Sequence, residues 1–135
     1  CGADITRVRK MFRDDMASYR AKAEAMRKAE VYRKEYAIAE CPSDIESPTV
    51  LAAQTANELL DISGIKASFV LTVYEGKIYL SARSIDEVNV QIIAEKLGGG
   101  GHINSAGAQF DHTNIQEVIT ILKETIDEMI KEGDI

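Results

Sequence analysis

Residues 98–101 are four consecutive glycines, and His102 follows them directly. No other stretch restricts the fold so strongly. Glycine loses more backbone entropy on folding than any other residue, so a run of four is costly. A helix end needs one glycine as its stop. The surplus calls for a place where something approaches the main chain closely. Two readings stand at this point. In the first, the run is a flexible helix C-cap and loop. In the second, successive N–H groups form a nest for an anion. His102 then adds a directional donor, charged when protonated. No Lys-Ser or Lys-Thr follows the glycines, so the run is not a P-loop, and residues 98–107 nowhere spell G-x-G-x-x-G.

The surroundings are those of one α/β domain. A length of 135 residues, 45% hydrophobic and 28% charged, suits one packed domain. Charge is divided unevenly along it. Residues 1–34 hold ten Lys or Arg against five Asp or Glu, whereas residues 35–135 hold six against seventeen. A basic arm therefore precedes an acidic body. In the arm, Ile5, Val8, Met11 and Phe12 suit a short helix, with Asp14 or Asp15 as a cap or break. Phe12, Met16, Tyr19, Ala23 and Met26 then form one apolar stripe on a longer helix. Its basic residues read as a solvated face or a nucleic-acid patch. The stripe must pack on this body, a partner copy or an upstream domain.

In the body, Tyr36–Glu40 reads as a strand, and 41–44 as a turn. Ser47 and Pro48 start a helix that carries Leu51, Thr55, Leu59 and Ile62 and stops at Gly64. Ala67–Val73 and Ile78–Ala82 form a hairpin about Glu75-Gly76. Asn89 caps a helix with Val90, Ile93, Ala94 and Leu97 on one face; Ser84 with Glu87 is a rival capping box. That helix start offers exposed N–H groups to an anion. Ile103–Ala106 can make one helical turn stopped by Gly107, and Ala108–Phe110 a short strand. Thr113 with Gln116 boxes the last helix, whose apolar face is Ile115, Val118, Ile119, Leu122, Ile126, Met129 and Ile130. His112 reads as a surface loop residue. The expected architecture is a mixed sheet of four to five strands flanked by helices, preceded by a helical arm. The helix between the hairpin and the last strand makes a right-handed crossover if the strands it joins are parallel.

Arg83, the only arginine after Arg33, stands at a strand end. It can pair bidentately with a phosphate, or with a carboxylate of the body. Hydrolysis of a phosphodiester usually requires metal ions. Two histidines, His102 and His112, with no paired Asp–His constellation, offer no such centre, so the chain by itself is expected not to hydrolyse. Cys1 and Cys41 lack metal-ligand spacing and fit a reducing setting. No 18-residue apolar stretch and no secretory signal occur.

Ser81-Ala82-Arg83-Ser84, Glu87-Val88-Asn89-Val90-Gln91 and Gly98–His102 together resemble the DHH-associated domain. That domain is the C-terminal half of DHH-family phosphoesterases. The pairing is most similar to membrane-anchored cyclic-di-AMP phosphodiesterases (GdpP type), and it covers nearly the whole chain. Those enzymes often read His-Leu-Thr-Asn-Ala-Ala after the glycines; here the sequence is His102-Ile103-Asn104-Ser105-Ala106-Gly107, nearer the general family form. The resemblance implies that 1–34 is an arm from an upstream catalytic domain and that 35–135 grips the substrate. It implies no catalytic residue and no metal here, manganese residing in the upstream DHH domain. Gly99, Gly100, Gly101 and His102 would hold a phosphate, Arg83 a phosphate or base edge, and Asn89 and Asn104 polar edges of the nucleotide. The implied ligand is cyclic-di-AMP, pApA or a short oligonucleotide, as in oligoribonucleases and RecJ-like exonucleases. A nucleotide-binding or dimerisation module is the other reading. The implied setting is cytoplasmic, with a membrane-anchored parent, no membrane contact in this chain, and possible homodimers.

Overall fold

A computed structural model describes residues 16–43, 47–85 and 88–133. The short helix expected over residues 5–12, the Asp14–Asp15 break and Glu87 of the rival capping box lie outside these. In chain order the elements are α1 (Met16–Arg27), β1 (Glu30–Tyr32), β2 (Tyr36–Glu40), α2 (Pro48–Leu59), β3 (Ala67–Tyr74), β4 (Lys77–Ser84), α3 (Val90–Lys96), β5 (Gly100–His102), β6 (Ser105–Phe110) and α4 (Ile115–Glu132). Six strands form one sheet in the order β1-β2-β3-β4-β6-β5, one more than the upper expectation. Only β2 and β3 run parallel, joined through α2. β4 and β6 are antiparallel, so the condition for a crossover through α3 is not met.

Alternation along the strands sends side chains to two faces. On one, Phe69, Leu71, Ile78, Leu80 and Ala82 meet α3 and α4. Val118, Leu122, Ile126 and Met129 of α4 are fully buried there, as the helical period predicts. On the other, α2 lays Leu51, Ala52, Ala56 and Leu59 against Ala37, Ala39 and Val70. Polar groups on this face are satisfied internally: Ser68 Oγ donates to Ala56 O at 2.6 Å, and Thr72 Oγ1 to Cys41 O at 3.3 Å. α2 packs over the β2–β3 half and leaves the β4–β6–β5 end half-buried or exposed.

Several expectations need correction. The arm's helix does not bury its Met16–Tyr19–Ala23 stripe. Met16 and Tyr19 are 61% and 60% exposed. The inward residue is Ala25, flanked by Ala21 and Met26. Lys22 lies along the body instead, its ammonium 3.2 Å from Glu58, as long cationic side chains can. The strand β1 was not foreseen. Arg33 and Lys34, both at positive φ, turn it back onto β2. α2 ends at Leu59, which leaves Ile62 exposed. The last helix is capped by Asn114, whose side chain accepts from Glu117 N at 2.9 Å, rather than by Thr113. Ile103–Ala106 is not a helical turn: Ile103 and Asn104 are the two residues between paired His102 and Ser105.

Candidate functional site

The glycine run divides into two parts. Gly98, at φ 91°, ends α3. Its N–H reaches Glu95 O at 3.1 Å, and that of Gly99 reaches Ala94 O at 2.7 Å, the pattern of a Schellman cap. These two N–H groups are spent on the helix, so four successive amides do not form a nest. From Gly100 the chain becomes β5, paired Gly100 to Gly107, Gly101 to Ala106 and His102 to Ser105. The surplus glycines do serve close approach, and what approaches is β6. A Cβ on Gly99 would lie 2.0 Å from Gly107 O, and one on Gly101 2.5 Å from Ala106 Cα. Gly100 has nothing within 4 Å.

Strand register assembles the site. On the face that α2 leaves open, directly paired residues stand in rows across the sheet. Arg83 of β4 pairs with Ser105 of β6, which pairs with His102 of β5. The next row is Ser81, Gly107 and Gly100; beyond it Tyr79 pairs with Gln109. One cationic side chain, one hydroxyl and one imidazole thus share a line ending at the sheet edge. β5 is that edge, so its outward backbone groups have no strand partner.

Arg83 donates from Nη1 to Ala82 O at 2.8 Å. Among the described residues no carboxylate pairs with it. Partial burial pushes its guanidinium below the usual arginine range, since desolvation penalises the charged form. Among the described residues, then, the ion pair to a body carboxylate, one of its two possible roles, is not formed. A cation held this way favours an anionic ligand.

The two asparagines do something else. Asn89 Oδ1 accepts from Ile92 N at 3.2 Å, its capping role. Asn104 Nδ2 donates to Ser84 Oγ at 2.9 Å, and Ser84 Oγ donates to Val88 O at 2.6 Å. Ile103 O accepts from Val90 N at 2.9 Å. The β5–β6 turn is thereby pinned to the start of α3. The same bonds occupy N–H groups of that seven-residue helix that were expected to face an anion.

A cavity of about 350 Å³ adjoins the rows, between Thr49, Tyr79, Ser81, Gly99, Gly107 and Gln109. Another of about 390 Å³ lies by β2, but it presents Glu24, Glu30 and Glu40 against the single cation Lys28 and suits a phosphate poorly. Among the described residues no three His, Cys, Asp or Glu side chains converge on a possible metal position, and His102 and His112 belong to different elements. These residues do not fit a metal. Among them, too, no helix is long and apolar enough to cross a membrane.

Known proteins are similar to this chain in sequence and in fold. The chain is 39% identical over 133 residues to the cyclic-di-AMP phosphodiesterase GdpP of Geobacillus thermodenitrificans, covering 98% of this chain and 20% of that protein. It is 39% identical over 127 residues to the cyclic-di-AMP phosphodiesterase PdeA of Listeria monocytogenes, covering 93% and 19%. The chain thus spans about a fifth of the length of these curated relatives. In fold it is similar to an exopolyphosphatase-related protein from Bacteroides fragilis, with a TM-score of 0.78 at 19% identity over 90% of this chain and 37% of that one. The DHHA1 domain model matches residues 34–131, and the chain belongs to that family.

Proposed function

We propose that this chain is the substrate-gripping half of a phosphodiesterase that opens cyclic-di-AMP to linear pApA. The observation that carries the reading is the Arg83–Ser105–His102 row, whose one arginine has no carboxylate partner among the described residues. Arg83 and His102 bind phosphoryl oxygens, assisted by the one amide of Gly100–Gly101 that the alternating ladder turns outward from the β5 edge. Gly99 keeps the α3 stop and β6 close enough for that edge to form. Asn104 holds the β5–β6 turn against the start of α3, which Asn89 caps. The reacting metal, manganese, belongs to an upstream DHH domain to which residues 1–34 lead. Such a division fits a site with a single guanidinium, because metal charge on the other half would offset most of the substrate's. The parent protein is membrane-anchored with this domain in the cytoplasm.

Calorimetry of the chain with cyclic-di-AMP, pApA and a longer oligonucleotide tests the reading. The two dinucleotides are expected to bind, and Arg83→Ala or His102→Ala to weaken them about tenfold or more, the range of a charge-assisted hydrogen bond. Unchanged affinity in both variants sinks it. Tighter binding of the longer oligonucleotide would favour an oligoribonuclease or RecJ-like half, against which the seventeen carboxylates of residues 35–135 speak. Exposed Met16 and Tyr19 favour a further contact, with the upstream domain or a second copy. Light scattering showing a dimer that Tyr19→Glu dissociates would assign it to the copy.

A further inference from the structure

The three rows on the open face differ in kind, and the difference has a use. Arg83–Ser105–His102 is rich in donors. The middle row, Ser81–Gly107–Gly100, is almost bare of side chains. The third, Tyr79–Gln109, closes the floor with an aromatic ring and a carboxamide. Rows two residues apart along a strand are about 7 Å apart. A phosphate on the first row therefore leaves room for a flat ring over the second, its edge towards the third. The 350 Å³ cavity occupies this place, with Thr49 at its rim.

The third row is built for such an edge. Tyr79 is steadied by Tyr74, ring centroids 6.1 Å apart at 62°. Gln109 is exposed, and its carboxamide has no hydrogen-bond partner among the described residues. A carboxamide offers one acceptor and one donor side by side. Adenine presents the matching pair at N6–H and N7, whereas guanine presents two acceptors at O6 and N7.

Resting on the reading that phosphates occupy the first row, we infer that Gln109 and Tyr79 form a nucleobase subsite selecting adenine over guanine. Gln109 hydrogen-bonds the base edge. Tyr79 packs against the base, and the bare middle row lets the ring lie close to the backbone.

The test is calorimetry of the chain with pApA, pGpG and inorganic pyrophosphate, the last having phosphates without a base. The parent is expected to prefer pApA to pGpG by roughly 5- to 150-fold, the range of one bidentate base contact. Gln109→Ala should bring that ratio towards one and leave pyrophosphate unchanged. Tyr79→Leu should weaken both dinucleotides alike, again sparing pyrophosphate; a melting curve matching the parent's confirms its fold. Equal binding of pApA and pGpG by the parent, or an unaltered ratio in Gln109→Ala, overturns the subsite and leaves the phosphate row standing. Failure of the parent to bind pyrophosphate or either dinucleotide overturns both.

Discussion

Alanine substitutions along Gly98–Gly100 should separate three roles by their costs. At Gly99 the new Cβ would sit 2.0 Å from Gly107 O and 2.7 Å from Ala108 Cα. Both obstacles include backbone, which no rotamer change removes. Either β6 or the α3 stop must shift, at the upper end of overpacking costs, about 3 kcal/mol. For a chain of this size that is a fall of roughly 10 °C in Tm. At Gly98 space is open but φ is 91°, so alanine costs about 1–2 kcal/mol through left-handed strain alone. At Gly100 neither problem exists, and Tm should stay within about 2 °C. Differential scanning calorimetry of the three variants reads this order directly. If Gly99→Ala melts within about 2 °C of the parent, close approach to β6 is not what requires a glycine there.

Two further outcomes follow from side chains away from the site. Asn114→Ala removes the cap on α4 and should cost about 1 kcal/mol in urea unfolding, whereas Thr113→Ala should cost less, because among the described residues Thr113 bonds only the Glu117 side chain. Asp127 accepts from Tyr32 Oη at 2.8 Å and from Arg33 Nε at 2.6 Å, and these bonds hold its carboxyl below the usual aspartate range. A depressed folded value contributes stability above the unfolded value, about 3.9, that is lost as pH falls through the folded one. Asp127→Asn should therefore lower Tm at pH 7 and narrow the gap to the parent on acidification below about pH 4; a gap unchanged with pH contradicts the assignment.

Elements with chemically distinct boundaries were readable from the residues. Pro48 at the start of α2, the Glu75-Gly76 turn, the Asn89 cap and the α4 apolar face all sit where local chemistry puts them, whereas Ser47 precedes α2 without a side-chain cap bond. Misses came where local signals were weak or duplicated. β1 has three residues and a turn of Arg33 and Lys34, neither a usual positive-φ residue. Thr113 and Asn114 are both good caps, and spacing alone favoured the wrong one. In α1, apolar periodicity weighed Met16 and Tyr19 but took no account of a lysine stem that packs. The glycine run correctly announced a close backbone approach. That its partner is β6 depended on the two-residue turn Ile103-Asn104, which lacks the Asn-Gly or Asp-Gly signal of such hairpins. Arg83 and His102, nineteen positions apart, become neighbours only through Ser105, and no periodicity encodes that register.

Amide NMR of the ¹⁵N-labelled chain during titration with pApA tests the central claim most directly. Saturable shifts are expected at Arg83, Gly100–Ser105 and Gln109, with α4 and the Glu24–Glu40 cavity unmoved. Shifts concentrated around that acidic cavity or along α4, with residues 100–105 silent, would contradict the account.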